Sequence, residues 1–179
     1  MKKIVVNDTN VFIDLLDIGL LEEFFCLPWE IHTTDLVMLE LLREGQKETV
    51  EVYEKEGRLH IARFEYDEFM EINKLHKRVE AKTNVALTDC SVWHYAKKNG
   101  FALLTGDRKL RSSALNEGVE VHGIIYVFDA LVESDVISAS MAYEKLTSLK
   151  DRNLRLPQHE IDKRIKLWSD EQKEEGGYM

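Results

Sequence analysis

Apolar positions along the chain follow two alternating rhythms. Residues 4–6 form a short β-branched run closed by Asn7 and Asp8, and from there Val11, Phe12, Leu15 and Leu16 recur at helical spacing. The strand, turn and helix then repeat in altered form. Residues 30–33 predict a second strand, Thr33-Thr34-Asp35 supplies an N-cap cluster, and residues 36–42 are apolar on nearly every side, predicting a buried helix that carries Glu40. Residues 59–64 predict a third strand, and Phe69, Ile72, Leu75, His76 and Val79 a helix that breaks at Lys82-Thr83-Asn84. Thr88 is placed to cap a helix running to Lys98, where Asn99-Gly100 stops it. Residues 101–104 then read as a fourth strand, 107–115 as a helix, and 119–125 as a fifth strand or strand end. Strands that alternate with helices predict an α/β fold, a mostly parallel sheet with helices on both faces.

The rhythm changes after Phe128. Helical stretches at 129–133 and 138–149 lead to Leu156-Pro157 and a last helix with Ile161, Ile165 and Trp168 on one face. The domain reading is a core over 1–128, a helical extension of the same domain over 129–170, and a loose tail over 171–179. The apolar face of the last helix is large enough to predict a homodimer.

Composition narrows the function classes. With 33 acidic against 24 basic residues the formal charge is −9, and the acidic excess is already present before residue 129. That excludes a general electrostatic affinity for nucleic acid. A phosphate substrate would need a local basic patch or metal ions that invert the local charge. Cys26 and Cys90 sit among apolar neighbours and read as free thiols, and the opening run is too short for a signal peptide, so a cytoplasmic location is expected.

Candidate chemistry lies in four acids. In open α/β sheets ligands bind beyond the carboxyl ends of the strands, and Asp8 and Asp107 follow predicted strands. Each alone reads equally as an Asx-turn or helix cap. Glu40 falls among Leu36, Val37, Leu39 and Leu41, where a carboxylate is costly unless paired, for example with Arg43, or bound to a cation. Asp89 shares a helix face with Val92 and Trp93, although a helix dipole would also favour it there. Four carboxylates in one crevice would repel unless divalent cations neutralised them, and all-oxygen ligation favours Mg2+ or Mn2+ over zinc.

The segments Ile4-Val5-Val6-Asn7-Asp8-Thr9-Asn10-Val11-Phe12-Ile13-Asp14, the helix bearing Glu40, Leu87-Thr88-Asp89-Cys90-Ser91-Val92-Trp93-His94-Tyr95-Ala96 and Leu103-Leu104-Thr105-Gly106-Asp107-Arg108 stand in an order that resembles PIN-domain nucleases. The resemblance covers roughly residues 1–128. It implies a three-layer α/β/α fold with strand order 3-2-1-4-5, and an acidic metal-binding quartet of Asp8, Glu40, Asp89 and Asp107, with Thr105 and Asn10 in support. One or two Mg2+ or Mn2+ ions per site are implied, activating water for hydrolysis of RNA phosphodiesters. Some relatives carry a further acid where this chain has Lys109. Many small stand-alone members are VapC-type toxin ribonucleases silenced by an antitoxin protein, and the segment Asn153-Leu154-Arg155-Leu156-Pro157 is similar to that of a prokaryotic subgroup. Candidate RNA contacts are Lys74, Lys77, Arg78 and Lys82 on one helix, and Arg108, Lys109 and Arg111 on another, each of which could equally belong to a solvated helix face.

Other chemistries fit poorly. The six histidines show no paired zinc spacing, Cys90 and His94 one turn apart read as core packing, and neither a Walker-type loop nor a Gly-x-Ser-x-Gly elbow is present. Trp29, Trp93 and Trp168 could stack on bases but read first as core or interface residues. One rival is a phosphotransfer enzyme of haloacid-dehalogenase or receiver type, against which Asn10 stands where the second aspartate of the first signature belongs. The other is a catalytically idle module of the same fold that binds RNA or protein.

Overall fold

The structure is a computed structural model that describes residues 2–175. The described residues divide into two compact units, one formed by residues 2–13 and 28–123, the other by 14–27 and 124–175. The division falls after Gly123, and a segment from the first third of the chain joins the C-terminal helices.

The first unit is built on a five-stranded sheet ordered β3-β2-β1-β4-β5, the order that the resemblance implies. Its strands are β1 (Lys3–Asn7), β2 (Trp29–Thr34), β3 (Leu59–Ala62), β4 (Ala102–Leu104) and β5 (Val121–His122). Every pairing is parallel, with Val5 of β1 in register with Ile31 of β2 and Ala102 of β4. Consecutive residues Val5, Val6 and Asn7 are all buried, so both faces of the central strand are covered, as parallel strands require. Helices α3 (Asp35–Glu40), α4 (Gln46–Lys55), α5 (Tyr66–Thr83), α6 (Leu87–Asn99) and α7 (Arg108–Asn116) connect the strands, and α1 (Thr9–Ile18) starts directly after β1. Gly100 ends α6 in the left-handed conformation, φ 68°, which lets the chain turn at once into β4.

Several expectations need correction. The helix expected over 36–42 is only α3, ending at Glu40; Val37, Met38 and Leu41 are buried, whereas Leu39 and Leu42 are 63% and 85% exposed. A sequence apolar on every side does not say which side meets the core. Residues 21–26 and 46–55 form helices that periodicity did not reveal: α2 (Leu21–Cys26) is short, and α4 is polar overall and starts at a left-handed Gly45 with no side-chain cap. β5 shrinks to a two-residue pair, because it lies at the sheet edge against a β4 of three residues. Thr88 lies inside α6 rather than capping it; the carboxylate of Asp89 accepts the Ala86 N–H at 3.0 Å, which is half of a capping box.

The second unit is helical: α2, α8 (Ile124–Glu133), α9 (Ala139–Arg152) and α10 (Gln158–Glu175), with the end of α1. The apolar residues 124–128, read in part as strand, are the first turns of α8. Ile161 is fully buried and Trp168 is 3% exposed, its ring 6.1 Å from that of Phe128. Ile161 and Trp168, two of the three residues of the face that predicted a homodimer, are therefore covered, while Ile165 is only partly so, and the face by itself no longer calls for a partner. Arg164 holds Asp129 through two hydrogen bonds, 2.6 and 2.9 Å, and Asn153 donates to Asp14 at 3.0 Å. Helix α10 runs on through residues expected to be loose tail; residues 176–179 of that expectation lie outside the described residues.

Candidate active site

The site begins where β1 and β4, neighbours in the sheet, reach their carboxyl ends. Asp8 extends the ladder by one bond, its N–H donating to the Leu104 carbonyl at 3.0 Å, and Thr105 does the same to His122 at 2.9 Å. The first polar residues after two adjacent strands are thus placed side by side, at the point where the strand order reverses. Thr105, fully buried, donates its hydroxyl to Asp8 Oδ2 at 2.7 Å and accepts the Asp107 N–H at 3.0 Å. Asn10 donates to the same Asp8 oxygen at 2.6 Å and accepts the Gly106 N–H at 2.8 Å. A Cβ on Gly106 would come within 3.1 Å of the Asn10 amide oxygen, so a larger residue there would push the Asn10 side chain by a few tenths of an ångström. Thr9 N–H supplies a third donor, to Asp8 Oδ1 at 2.7 Å.

The other acids arrive on helix ends. Thr9 donates its hydroxyl to Glu40 Oε2 at 2.7 Å, fixing the exposed last residue of α3 against the residue that follows Asp8. Sequence reasoning passed over Thr9, because a threonine at the start of a helix reads as a cap. Asp89 is partly buried at the start of α6. Asp107 caps α7, accepting the N–H groups of Lys109 and Leu110 on one oxygen, each at 2.8 Å. Its carboxylate is therefore a cap in fact, and its second oxygen remains for other work.

Electrostatics tie the four together. Burial raises the Asp8 carboxyl to about 7, with the charges of Asp89 and then Glu40 adding to it, while the Thr105 and Thr9 hydrogen bonds pull the other way. Burial also raises Asp89 to about 6, reinforced by Asp107 and Glu40. No ion pair reaches any of the four among the described residues. Such a donor set, all oxygen, mutually repelling and without a cation, fits a hard divalent ion in its chemistry. The fit is of chemistry rather than finished geometry: among the described residues no three His, Cys, Asp or Glu side chains are placed to hold an ion as they stand.

Remaining candidates separate clearly. Lys74, Lys77, Arg78 and Lys82 are exposed on α5, and Arg78 is held with Lys97 by Glu117, at 2.7 and 2.6 Å. Arg108 and Lys109 are exposed on the first turn of α7, whereas Arg111 is partly buried. Trp93 and Trp168 are buried and cannot stack on bases. Cys90 is fully buried and its thiol is pushed up to about 12, chiefly by that burial, so it is no nucleophile.

In a parallel α/β fold the ligand site lies beyond the carboxyl ends of the strands at the switch point, which is where Asp8 and Asp107 stand. A model of the PIN-domain family matches residues 4–170, and the chain belongs to that family. PIN domains are generally nucleases, and membership points to that activity here. Solved structures with a similar fold include VapBC2 from Rickettsia felis bound to a DNA fragment from their promoter, at 16% identity and a TM-score of 0.48, covering 67% of this chain and 98% of that one. PAE2754 from Pyrobaculum aerophilum shows 15% identity and a TM-score of 0.48 over 74% of this chain and 90% of its own. A toxin-antitoxin complex from Klebsiella pneumoniae shows 17% identity and a TM-score of 0.42 over 57% and 86%. No curated protein matches the chain.

Proposed function

We propose that this PIN-domain protein is an endoribonuclease dependent on Mg2+ or Mn2+. The observation that carries the reading is the cluster of Asp8, Glu40, Asp89 and Asp107, in which Asp8 and Asp89 are raised to about 7 and 6 by burial and by their neighbours' charges, with no ion pair to any of the four among the described residues. Left without an ion, that arrangement costs stability at neutral pH; with one, the repulsion becomes attraction. The four carboxylates would hold one or two ions, and such an ion supplies an activated water and neutralises charge on the reacting phosphate.

The chain's own groups do the positioning. Asp8 accepts three hydrogen bonds, from Thr9, Asn10 and Thr105, which orient both of its oxygens. Thr9 holds Glu40, and the helix caps hold Asp89 and Asp107, so each carboxylate is anchored by backbone or hydroxyl donors rather than by a competing cation. RNA as substrate and an antitoxin protein as partner follow from the resemblance to VapC-type toxins, and belong to this proposal.

The test is cleavage of labelled single-stranded RNA by the purified protein with Mn2+ or Mg2+, beside EDTA, the Asp8→Asn variant and a DNA of the same sequence. Cleavage of RNA lost in EDTA and in Asp8→Asn is expected. Cleavage of DNA alone would keep the nuclease and overturn its substrate; neither cleavage nor Mn2+ binding would leave a non-catalytic module of the same fold.

A further inference from the structure

Two fully buried hydroxyls lie outside the carboxylate cluster. Thr34 ends β2 and caps α3, Ser91 lies near the start of α6, and both are 0% exposed. Their oxygens stand 2.8 Å apart. Ser91 has one hydroxyl proton, which goes to the Thr88 carbonyl at 2.7 Å, so Thr34 is the donor between the two. Thr34 in turn accepts the Val37 N–H at 3.4 Å. A directed chain therefore runs from the first turn of α3 to the first turn of α6, and each hydroxyl in it donates once and accepts once.

The helices joined in this way carry two of the four acids. Helix α3 has Thr34 at its start and Glu40 at its end, six residues on. Asp89 follows Thr88 and stands two positions before Ser91. Helices α3 and α6 pack on each other, and among the described residues the Thr34–Ser91 bond is the one side-chain hydrogen bond that joins them. The acids' own anchors do not span that gap: Thr9 ties Glu40 to the start of α1, and the Ala86 N–H ties Asp89 to the start of its own helix. Glu40 is nonetheless close enough to Asp89 for the two charges to act on each other.

Packing alone does not ask for hydroxyls here. Val37, Val92 and Trp93 around them are buried, and an apolar pair of the same shape would fill the space without desolvating two polar groups. What a hydrogen bond adds to packing is a fixed length and direction. Like charges on Glu40 and Asp89 push the two helices apart until a cation arrives, and the bond opposes that push.

We propose that Thr34 and Ser91 are positioning residues for the divalent ion, their hydrogen bond fixing α3 against α6 and so setting the separation of Glu40 and Asp89. The inference rests on the metal-dependent reading above, and adds to it two residues that themselves hold neither ion nor substrate. Carboxylate side chains turn to meet an ion, but the helices that carry them have to be in place beforehand.

The experiment titrates Mn2+ into the purified protein without RNA and measures the free ion by electron paramagnetic resonance, so that no turnover enters. Variants are Ser91→Ala, Thr34→Val, the two combined, Thr34→Ser and, as a control on the buried side of α4, Val50→Ala; urea unfolding of each is recorded. None of them alters the charge of the cluster. Ser91→Ala and Thr34→Val are each expected to weaken Mn2+ binding about tenfold, as losses among the groups that hold a metal's ligands do. The combined variant should bind no more weakly than either single one, since all three remove the same link. Thr34→Ser keeps the oxygen and should bind like the wild type. Val50→Ala removes buried methyl groups and lowers stability, yet its folded form should keep the wild-type affinity.

Unchanged affinity in folded Ser91→Ala and Thr34→Val overturns the assignment and leaves the metal site standing. An equal loss in Val50→Ala overturns it too, because lowered stability would then account for the effect. If the hydroxyl variants do not fold, hydrogen exchange in the wild-type protein decides. A link set in advance protects the Val37 amide alike with and without Mg2+, and protection that arises only with the ion overturns the proposal. Wild-type protein that binds no Mn2+ removes the metal-dependent reading and this inference with it.

Discussion

At the scale of single residues, Asp8 is held between opposing demands. Three donors favour its charged form, while complete burial and the neighbouring Asp89 and Glu40 favour the neutral one, and the second group prevails. Since the folded protein holds a proton on Asp8 up to about pH 7, where an unfolded chain has released it above about 4, stability falls as pH rises through that window. Asp89, at about 6, acts in the same direction. In EDTA, urea unfolding at pH 5, 6, 7 and 8 should show the protein most stable at the acid end, each such carboxyl contributing a slope of at most about 1.4 kcal/mol per pH unit. Saturating Mn2+ should flatten the part due to Asp8 and Asp89; identical slopes with and without the ion would argue that no metal binds these groups. Thr105→Val removes one donor to Asp8, so it should cost about 1–2 kcal/mol and shift the acid limb of the cleavage pH profile upward.

At the scale of elements, two of the four acids also serve as caps, and the two roles can be separated. Asp107 closes the start of α7 through one carboxylate oxygen. Asparagine caps helices about as well as aspartate, so Asp107→Asn should stay within about 0.5 kcal/mol of wild type, whereas Asp107→Ala should lose about 1 kcal/mol. Cleavage should fall at least a hundredfold in both if Asp107 serves the reaction; activity that followed stability, retained in Asn and reduced in Ala, would leave the residue as a cap alone. Gly100 offers a contrasting control far from the chemistry in role. A Cβ there meets open space, but the left-handed backbone at φ 68° makes Gly100→Ala cost about 1 kcal/mol, with cleavage per folded molecule unchanged.

At the scale of the whole molecule, the chain divides into two compact units. Trp168 closes the core of the helical unit against Phe128, and Trp168→Ala should lose about 3 kcal/mol by opening a cavity there, measured as a lowered urea midpoint. Binding of a divalent ion should raise the melting temperature of the wild-type protein, by the equivalent of about 2.7 kcal/mol when the ion is present at a hundred times its Kd. Asp8→Asn should lose that rise, and a melting temperature indifferent to Mn2+ in the wild type would count against the metal. No helix among the described residues is long and apolar enough to cross a membrane.

The sequence by itself determined the alternation of strands and helices, and with it the parallel sheet, because a β-branched run such as Val5-Val6 and a left-handed stop such as Gly100 act through local geometry. It also placed Asp8 and Asp107 just beyond strands, since a polar residue closing an apolar run marks the strand end wherever the strand lies. What lies opposite a residue in space is not local. Only the tertiary structure decided that Thr9 grips Glu40 and that Thr105 meets Asp8 across 97 positions of chain. It also decided that Glu40 ends an exposed helix tip instead of lying buried, and that Ile161 and Trp168 are covered within their own unit. Helix α4 escaped notice because its stability comes from packing on β3 more than from a cap or an apolar stripe.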